Sequence, residues 1–415
     1  MVAQPVEVTL ADVYAAQQVL RDQLIATPML PELRLTRLLG ARVFLKAESL
    51  QRSGSFKIRG AYNRISRLSE EERRRGVITA SAGNHAQGVA LAARLFQVPA
   101  TIVMPEFAPL TKVVNTRNFG AEVILHGSSF DDAVAHARAL QAETGATFVH
   151  AFDDPFVIAG QGTIGLEILS ALPEVDTILV PVGGGGLISG IAIAVKALKP
   201  SVRVIGIQPD VCPSVMASLR GQAFTPPAMV ATIADGIAVK HPGELTMHYI
   251  RRLVDDVVTV SDDDIACAIA HCAQYARLVV EGAGAAGAAA LLSGAVRPEA
   301  DEVVCAVLCG GNIDGNLLAR VIEQVMVQQG RIIVLRLTLL DRPGQLAAVI
   351  NHVADCGANI LDVIHRRAVW LAPLTRTGVE LVLEVRDESH GQSVMRRLQE
   401  AGYGVERVQL GHWPS

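Results

Sequence analysis

The sequence has no apolar run long enough for a bilayer. Its most apolar stretches, around GLISGIAIAVKAL and AGAAGAAALLSGAV, are short, rich in glycine or interrupted by Lys196, and fall below the roughly 18 residues that a spanning helix needs. An export signal is missing too, because Glu7, Asp12, Arg21 and Asp22 stand where its uncharged core would lie. A cytoplasmic protein without membrane contact is expected. Nor is there an excess of positive charge: 37 Lys and Arg face 41 Asp and Glu, for a net charge of -4. A polyanion is therefore not the expected partner, which argues against nucleic acid. The six cysteines, at positions 212, 267, 272, 305, 309 and 356, form no Cys-x-x-Cys pair and have no histidine at zinc spacing. They read as buried reduced thiols, and no metal site is expected.

What is present is a long chain with a large core. Its 415 residues are half apolar, enough for two or three folding units. The runs GVITAS, ATIVMP, AEVILHG, TILVPVG, VRVIGIQP and EVVCAVLC alternate with longer helical patterns such as Ala86 to Phe96, whose Val89, Ala92, Ala93 and Phe96 share a face. This alternation predicts an α/β region with parallel sheets covered by helices, and a ligand at the carboxyl ends of the strands. After Gly330 the rhythm changes. The pattern predicts a strand in RIIVLRLTLL, a helix opened by Pro343 and closed by Gly357, strands in ANILDVIHRR and GVELVLEVR, a second helix closed by Gly402, and a last strand to Leu410. That order is the ferredoxin-like β-α-β-β-α-β arrangement, so residues 1–325 and 331–415 are expected to form separate domains.

One glycine-rich loop stands out. PVGGGGLISG joins an apolar strand to a helix, and four successive glycines let backbone amides converge on an oxyanion at a helix start. A plain flexible turn is the bland alternative. The spacing does not match G-x-G-x-x-G, since Ser189 takes the place of the third glycine, and the following strand ends at Gln208 rather than at an acid. No GK[ST] follows either. If the phosphate belongs to pyridoxal phosphate, a lysine must carry the Schiff base. The candidate is Lys57 in SGSFKIRGA, where a lysine followed by Arg59 in a Ser/Gly loop would ordinarily be solvated.

KAESLQRSGSFKIRGA, TASAGNHAQGVALAA, PVGGGGLISG, TIADGIAV, EGAGAAGAAAL and LCGGNID closely resemble, in this order, the motifs of threonine dehydratases of the fold-type-II pyridoxal-phosphate group, whose catalytic region is tryptophan-synthase-β-like. The resemblance implies that Lys57 is the Schiff-base lysine, Phe56 packs on the pyridine ring, Asn84 bonds the ring hydroxyl, Gly183, Gly184, Gly185, Gly186 and Leu187 cradle the phosphate, and Cys309 faces the ring nitrogen. Plainer readings stand beside these: Phe56 as core, Asn84 as an N-cap, Cys309 as another buried thiol. Because a helix start offers amides to an anion, Ser81, Ala82, Gly83, Asn84 and His85 are assigned to the substrate carboxylate. His85 is expected to make a structural contact and not to move protons. Relatives often carry Glu at the position of Gln208, in a loop that binds a divalent cation, and this chain lacks that carboxylate.

The activity implied is β-elimination from L-threonine to 2-oxobutanoate and ammonia, and from L-serine to pyruvate. Lys57 would act as general base. A serine or hydroxy-amino-acid racemase is the second reading, and a non-enzymatic amino-acid sensor the third. LLDRPGQLAAVINHVADCGANI resembles the ACT family of amino-acid-sensing domains. It implies an effector site at Asp341, Arg342, Pro343 and Gly344, at an interface between copies in a homodimer or homotetramer. A dimerisation module without ligand carries nearly equal weight.

Overall fold

The computed structural model describes residues 7–227, 230–366 and 375–408. Two compact units divide the chain, Met1–Asp314 and Gly315–Ser415. The helix Gly315–Gln328 thus goes with the second unit.

The first unit holds ten strands: β1 (Met29–Pro31), β2 (Arg42–Lys46), β3 (Val77–Ala80), β4 (Ala100–Met104), β5 (Glu122–Leu125), β6 (Thr147–Phe148), β7 (Thr177–Pro181), β8 (Arg203–Pro209), β9 (Asp256–Val260) and β10 (Val303–Val307). They form a four-stranded sheet in the order β5-β4-β3-β6 and a six-stranded sheet in the order β1-β2-β10-β7-β8-β9. Every pairing is parallel except β1 with β2. Strands β3, β7 and β10 are buried at every residue, because helices cover both faces of a parallel sheet; their polar members, Thr79 and Thr177, are satisfied by the Val149 carbonyl and Glu302. The runs quoted from the sequence became β3, β4, β5, β7, β8 and β10. Missed were β1, β2, β6 and β9, which are very short or carry charged residues at their ends.

Helices Lys57–Ser66 and Asn84–Phe96 share one core, with Ile58, Ala61, Tyr62 and Ile65 against Val89, Ala90 and Ala93. The second helix is buried from His85 through Ala93 without a break. It is therefore buried all round and not on the one face that its periodicity predicts. This doubly wound arrangement gathers three loops at the carboxyl ends of strands: Ser81–Gly83 after β3, Val182–Gly185 after β7, and Leu308–Asp314 after β10.

The second unit adds β11 (Ile332–Leu340), β12 (Asn359–Arg366), β13 (Arg376–Glu384) and β14 (Gly404–Val408), with helices Gln345–Asp355 and Glu388–Glu400. The sheet is antiparallel in the order β12-β13-β11-β14, a ferredoxin-like array. Strand β13 buries Thr377, Val379, Leu381 and Leu383 and turns Glu380 and Glu384 outward, the period of two that the sequence predicts. Gly344 caps the first helix with φ at 86°, so that helix begins at Gln345 and not at Pro343. Leu410, the predicted end of the last strand, lies outside the described residues. Among the described residues no helix is long and apolar enough to cross a membrane.

Candidate active site

Lys57 opens its helix directly after Phe56. Its Nζ donates to the Ala151 carbonyl at 3.0 Å and lies 5.2 Å from the Phe56 ring centroid. The residue keeps part of its surface open, as a group that must meet a substrate requires. The amine end is nonetheless so enclosed that desolvation brings it down to about 8, against the upward pull of Cys309 and Glu281. Lys57 is not the solvated lysine that its local sequence suggests.

The loop that supplies Ala151 is shaped by His150, whose Nδ1 accepts from Phe152 N at 3.3 Å and Asp153 N at 2.8 Å. Phe152 then stands on the glycine loop. A Cβ at Gly184 would fall on the Phe152 ring, and one at Gly186 would lie 2.9 Å from the Phe152 Cα and Cβ. Gly185 takes φ of 97°, a left-handed conformation that favours glycine, and serves as N-cap of the helix Gly186–Leu198. No side chain caps that helix, and its first-turn amides have no acceptor within the helix. Thr246 fixes the loop from behind, with Oγ1 donating to Gly184 O at 2.7 Å, and Asp153 Oδ1 accepts from Thr246 N at 3.1 Å.

The loop after β3 reaches the same place. Gly83 N donates to Ser81 Oγ at 3.2 Å, and Gly83 is the N-cap of Asn84–Phe96 without a side-chain capping bond. Ser81, Ala82, Gly83, Asn84 and His85 thus present an uncapped helix start. His85 Nε2 is 2.9 Å from Val149 O; a carbonyl only accepts, so Nε2 carries the hydrogen. Burial, with Lys57 adding to it, lowers the imidazole to about 3, against that hydrogen bond.

Asn84 has one partner at each end of its amide, which leaves a second Nδ2 hydrogen to donate. Its Nδ2 donates to Glu281 Oε1, and its Oδ1 accepts from Asn312 Nδ2 at 2.7 Å. The loop after β10 closes the site: Cys309 is buried, its carbonyl accepts from Phe56 N at 3.1 Å, and Ser55 pairs with Gly310. Desolvation and the nearby Glu281 push the Cys309 thiol well above its ordinary range.

The structure therefore brings together Lys57, Phe56, Asn84, the Ser81–His85 loop, Gly183–Leu187 and Cys309. Asp341, Arg342, Pro343 and Gly344 lie in the other unit, exposed in the turn from β11 to its helix, where Asp341 N donates to Thr375 O at 3.0 Å.

Three participants escaped the sequence. Glu281 was legible as the lone acid of EGAGAAGAAAL, and Asn312 stood in plain view in LCGGNID. Arg59, given no role from the sequence, is 1% exposed. It donates to Glu48 with Nε at 2.8 Å and Nη2 at 2.8 Å, and to Glu167 with Nη1 at 2.6 Å and Nη2 at 2.9 Å. Lys46 Nζ joins Glu167 at 2.5 Å. Gln208 is buried as a neutral connector, its Oε1 accepting from Val215 N and Met216 N at 3.1 and 3.0 Å and its Nε2 donating to Val182 O at 3.3 Å. A carboxylate could not make that last bond.

Residues 20–310 match the family model described as pyridoxal-phosphate dependent enzyme. An L-threonine ammonia-lyase from Thermotoga maritima is 49% identical over 401 residues, covering 97% of this chain and 100% of that protein. The processed form of threonine deaminase isoform 2 from Solanum lycopersicum is 39% identical with a TM-score of 0.71, over 77% of this chain and 87% of that one. Maize serine racemase is 36% identical with a TM-score of 0.72, over 77% and 98%.

Proposed function

The chain belongs to the pyridoxal-phosphate-dependent enzyme family, and from that premise we infer that it deaminates L-threonine to 2-oxobutanoate and ammonia, and L-serine to pyruvate. The observation that carries the reading is Lys57: a partly exposed lysine whose enclosed amine is lowered to about 8, in one site with a glycine loop whose positions have no room for side chains.

The residues fit the cofactor. Gly183, Gly184, Gly185, Gly186 and Leu187 offer uncapped helix-start amides to its phosphate. The buried hydroxyl of Ser55, beside Lys57, has no hydrogen-bond partner among the described residues. In this reading Lys57 would hold the cofactor covalently, Phe56 would cover its ring, Asn84 would meet the ring hydroxyl and Cys309 the ring nitrogen. Bound there, the cofactor supplies the electron sink that makes the threonine Cα–H acidic.

The chain's own groups do the rest. The Ser81–His85 loop receives the substrate carboxylate at the uncapped helix start, where the first-turn amides have no acceptor within the helix. The Lys57 amine would remove the Cα proton; an amine lowered to about 8 is substantially neutral near that pH, as a base must be. Cys309, held as a thiol, presents a neutral group and so leaves the ring nitrogen without a carboxylate to protonate it. His85, neutral and turned to Val149 O, stays out of proton transfer.

The likeness to maize serine racemase favours a second reading on the same residues, racemisation of serine. The C-terminal unit is read as an ACT-like regulatory domain. Its exposed Asp341–Gly344 turn would receive a branched-chain amino acid at an interface between copies, in a homodimer or homotetramer serving isoleucine biosynthesis.

Lys57→Ala is the test. It is expected to fold, to lose the visible absorbance of the bound cofactor and to form no 2-oxobutanoate from threonine. Near-parental keto-acid formation by that variant refutes the assignment, and D-serine accumulating faster than pyruvate in the parent moves the reading to racemisation.

A further inference from the structure

Glu281 is a buried carboxyl group that no ion pair among the described residues explains. It occupies the N-cap of the helix Gly282–Leu292 yet makes no capping bond with its side chain, although an acceptor there ordinarily turns to the free amides of the first turn. The carboxyl turns to Asn84 instead and takes its Nδ2–H on Oε1. The Glu281 amide donates to Gly310 O at 3.1 Å, and a Cβ at Gly310 would collide with Oε1, so the group has little room to swing. Asn84 hands the constraint on. Its Oδ1 accepts from Asn312 Nδ2 at 2.7 Å, and the same Nδ2 reaches Ser53 O at 2.9 Å. The run ties the first turn of Asn84–Phe96 to the two loops that frame the Lys57 amine.

We propose that Glu281 is a positioning residue for the threonine reaction: as a carboxylate it fixes Asn84, and by taking up a proton it loosens that hold. This rests on the reading of Lys57 as the reacting amine. An ionised acceptor makes the stronger bond to an amide N–H, and protonation of Glu281 turns one of its oxygens into a donor that Asn84 Nδ2 cannot use. The groups acting on it are few. Burial raises Glu281 to about 7 and Asp235 adds to the rise, while the Asn84 hydrogen bond, Lys112 and Lys57 act downward; the Cys309 thiol faces the same space. Asp235 and Lys112 pair with each other at 2.7 Å, and the Asp235 side chain is 63% exposed, outside the group of residues around Lys57.

That surface pair gives the test. The acid limb of kcat/KM for threonine is measured in the holoenzyme for the parent, Lys112→Gln, Asp235→Asn, Glu281→Gln, and each surface change combined with Glu281→Gln. Loss of Lys112 should move the limb to higher pH and loss of Asp235 to lower pH, each by a few tenths of a pH unit. Glu281→Gln, which keeps an acceptor for Asn84 but cannot ionise, should lose the limb, and in its background neither surface change should move anything. A limb retained in Glu281→Gln, or surface shifts that persist without Glu281, assigns the limb to another group and overturns the proposal. Should Glu281→Gln fail to fold, infrared difference spectra of the parent and the two surface variants follow the protonated-carboxyl band. Its midpoint must move in the same opposite directions, and a fixed midpoint overturns the proposal. That band is read without turnover, so a protein that titrates as expected but leaves threonine unchanged refutes the reaction and not the carboxyl.

Discussion

Replacing Arg59 by methionine should destabilise the first unit by about 3–5 kcal/mol, the usual cost of leaving a buried carboxylate without its cation. The magnitude follows from its neighbours. The Arg59 side chain is 2% exposed and that of Glu48 is 0% exposed. Glu48 would retain only the Thr27 hydroxyl, whereas Glu167, 25% exposed, would keep Lys46. Burial opposes the guanidinium charge, but Glu48 and Glu167 more than offset it and hold Arg59 firmly ionised. Against a typical stability of about 5–15 kcal/mol, the loss is a large fraction. Arg59→Lys should fall between, since one ammonium cannot reproduce the paired bonds to Glu48. The exposed pair Arg75–Glu71, at 42% and 69% exposure, is the control, and Arg75→Ala should cost no more than about 0.5 kcal/mol. Urea unfolding of the cofactor-free proteins reads all three. In a Glu48→Gln background the Arg59→Met cost should shrink markedly, because the stranded charge is gone. A cost below about 1 kcal/mol for Arg59→Met in the parent, or one unchanged by Glu48→Gln, refutes the reasoning.

Two further outcomes are expected. Gly184→Ala drives a methyl group into the Phe152 ring, so the variant should release pyridoxal phosphate more readily on dialysis, and Gly184→Ala with Phe152→Ala should regain part of the retention; undiminished retention in the single variant argues against this loop as the cradle. His85 remains neutral in the fold down to about 3 while the unfolded chain takes its proton at the ordinary 6.5. Its contribution is thus present above pH 6.5 and lost as pH falls, by about 2 kcal/mol at roughly pH 5. His85→Gln, which can still donate to Val149 O, should lose less stability between pH 7 and pH 5 in urea titrations, and an equal loss would mean that His85 is already protonated in the fold.

Much of this protein is decided by local sequence. A fully buried parallel strand such as Val303–Val307 is apolar at every position, and the alternation Val379, Leu381, Leu383 against Glu380 and Glu384 reads as a strand with one wet face, so both fold classes are legible without coordinates. The glycine loop is legible too, because a left-handed N-cap and the close approach of Phe152 leave glycine as the residue that fits. Packing decided the rest. Whether Lys57 is solvated, whether Arg59 is the most buried cation of its helix, and where Glu281 turns its carboxyl depend on segments far apart in the chain. Ala151 meets Lys57, Glu167 meets Arg59, and Glu281 meets Asn84. A side chain's charge state is set by what surrounds it in space, by desolvation and by the few groups within a few ångströms. Composition and periodicity carry no record of those neighbours, and only the tertiary fold supplies them.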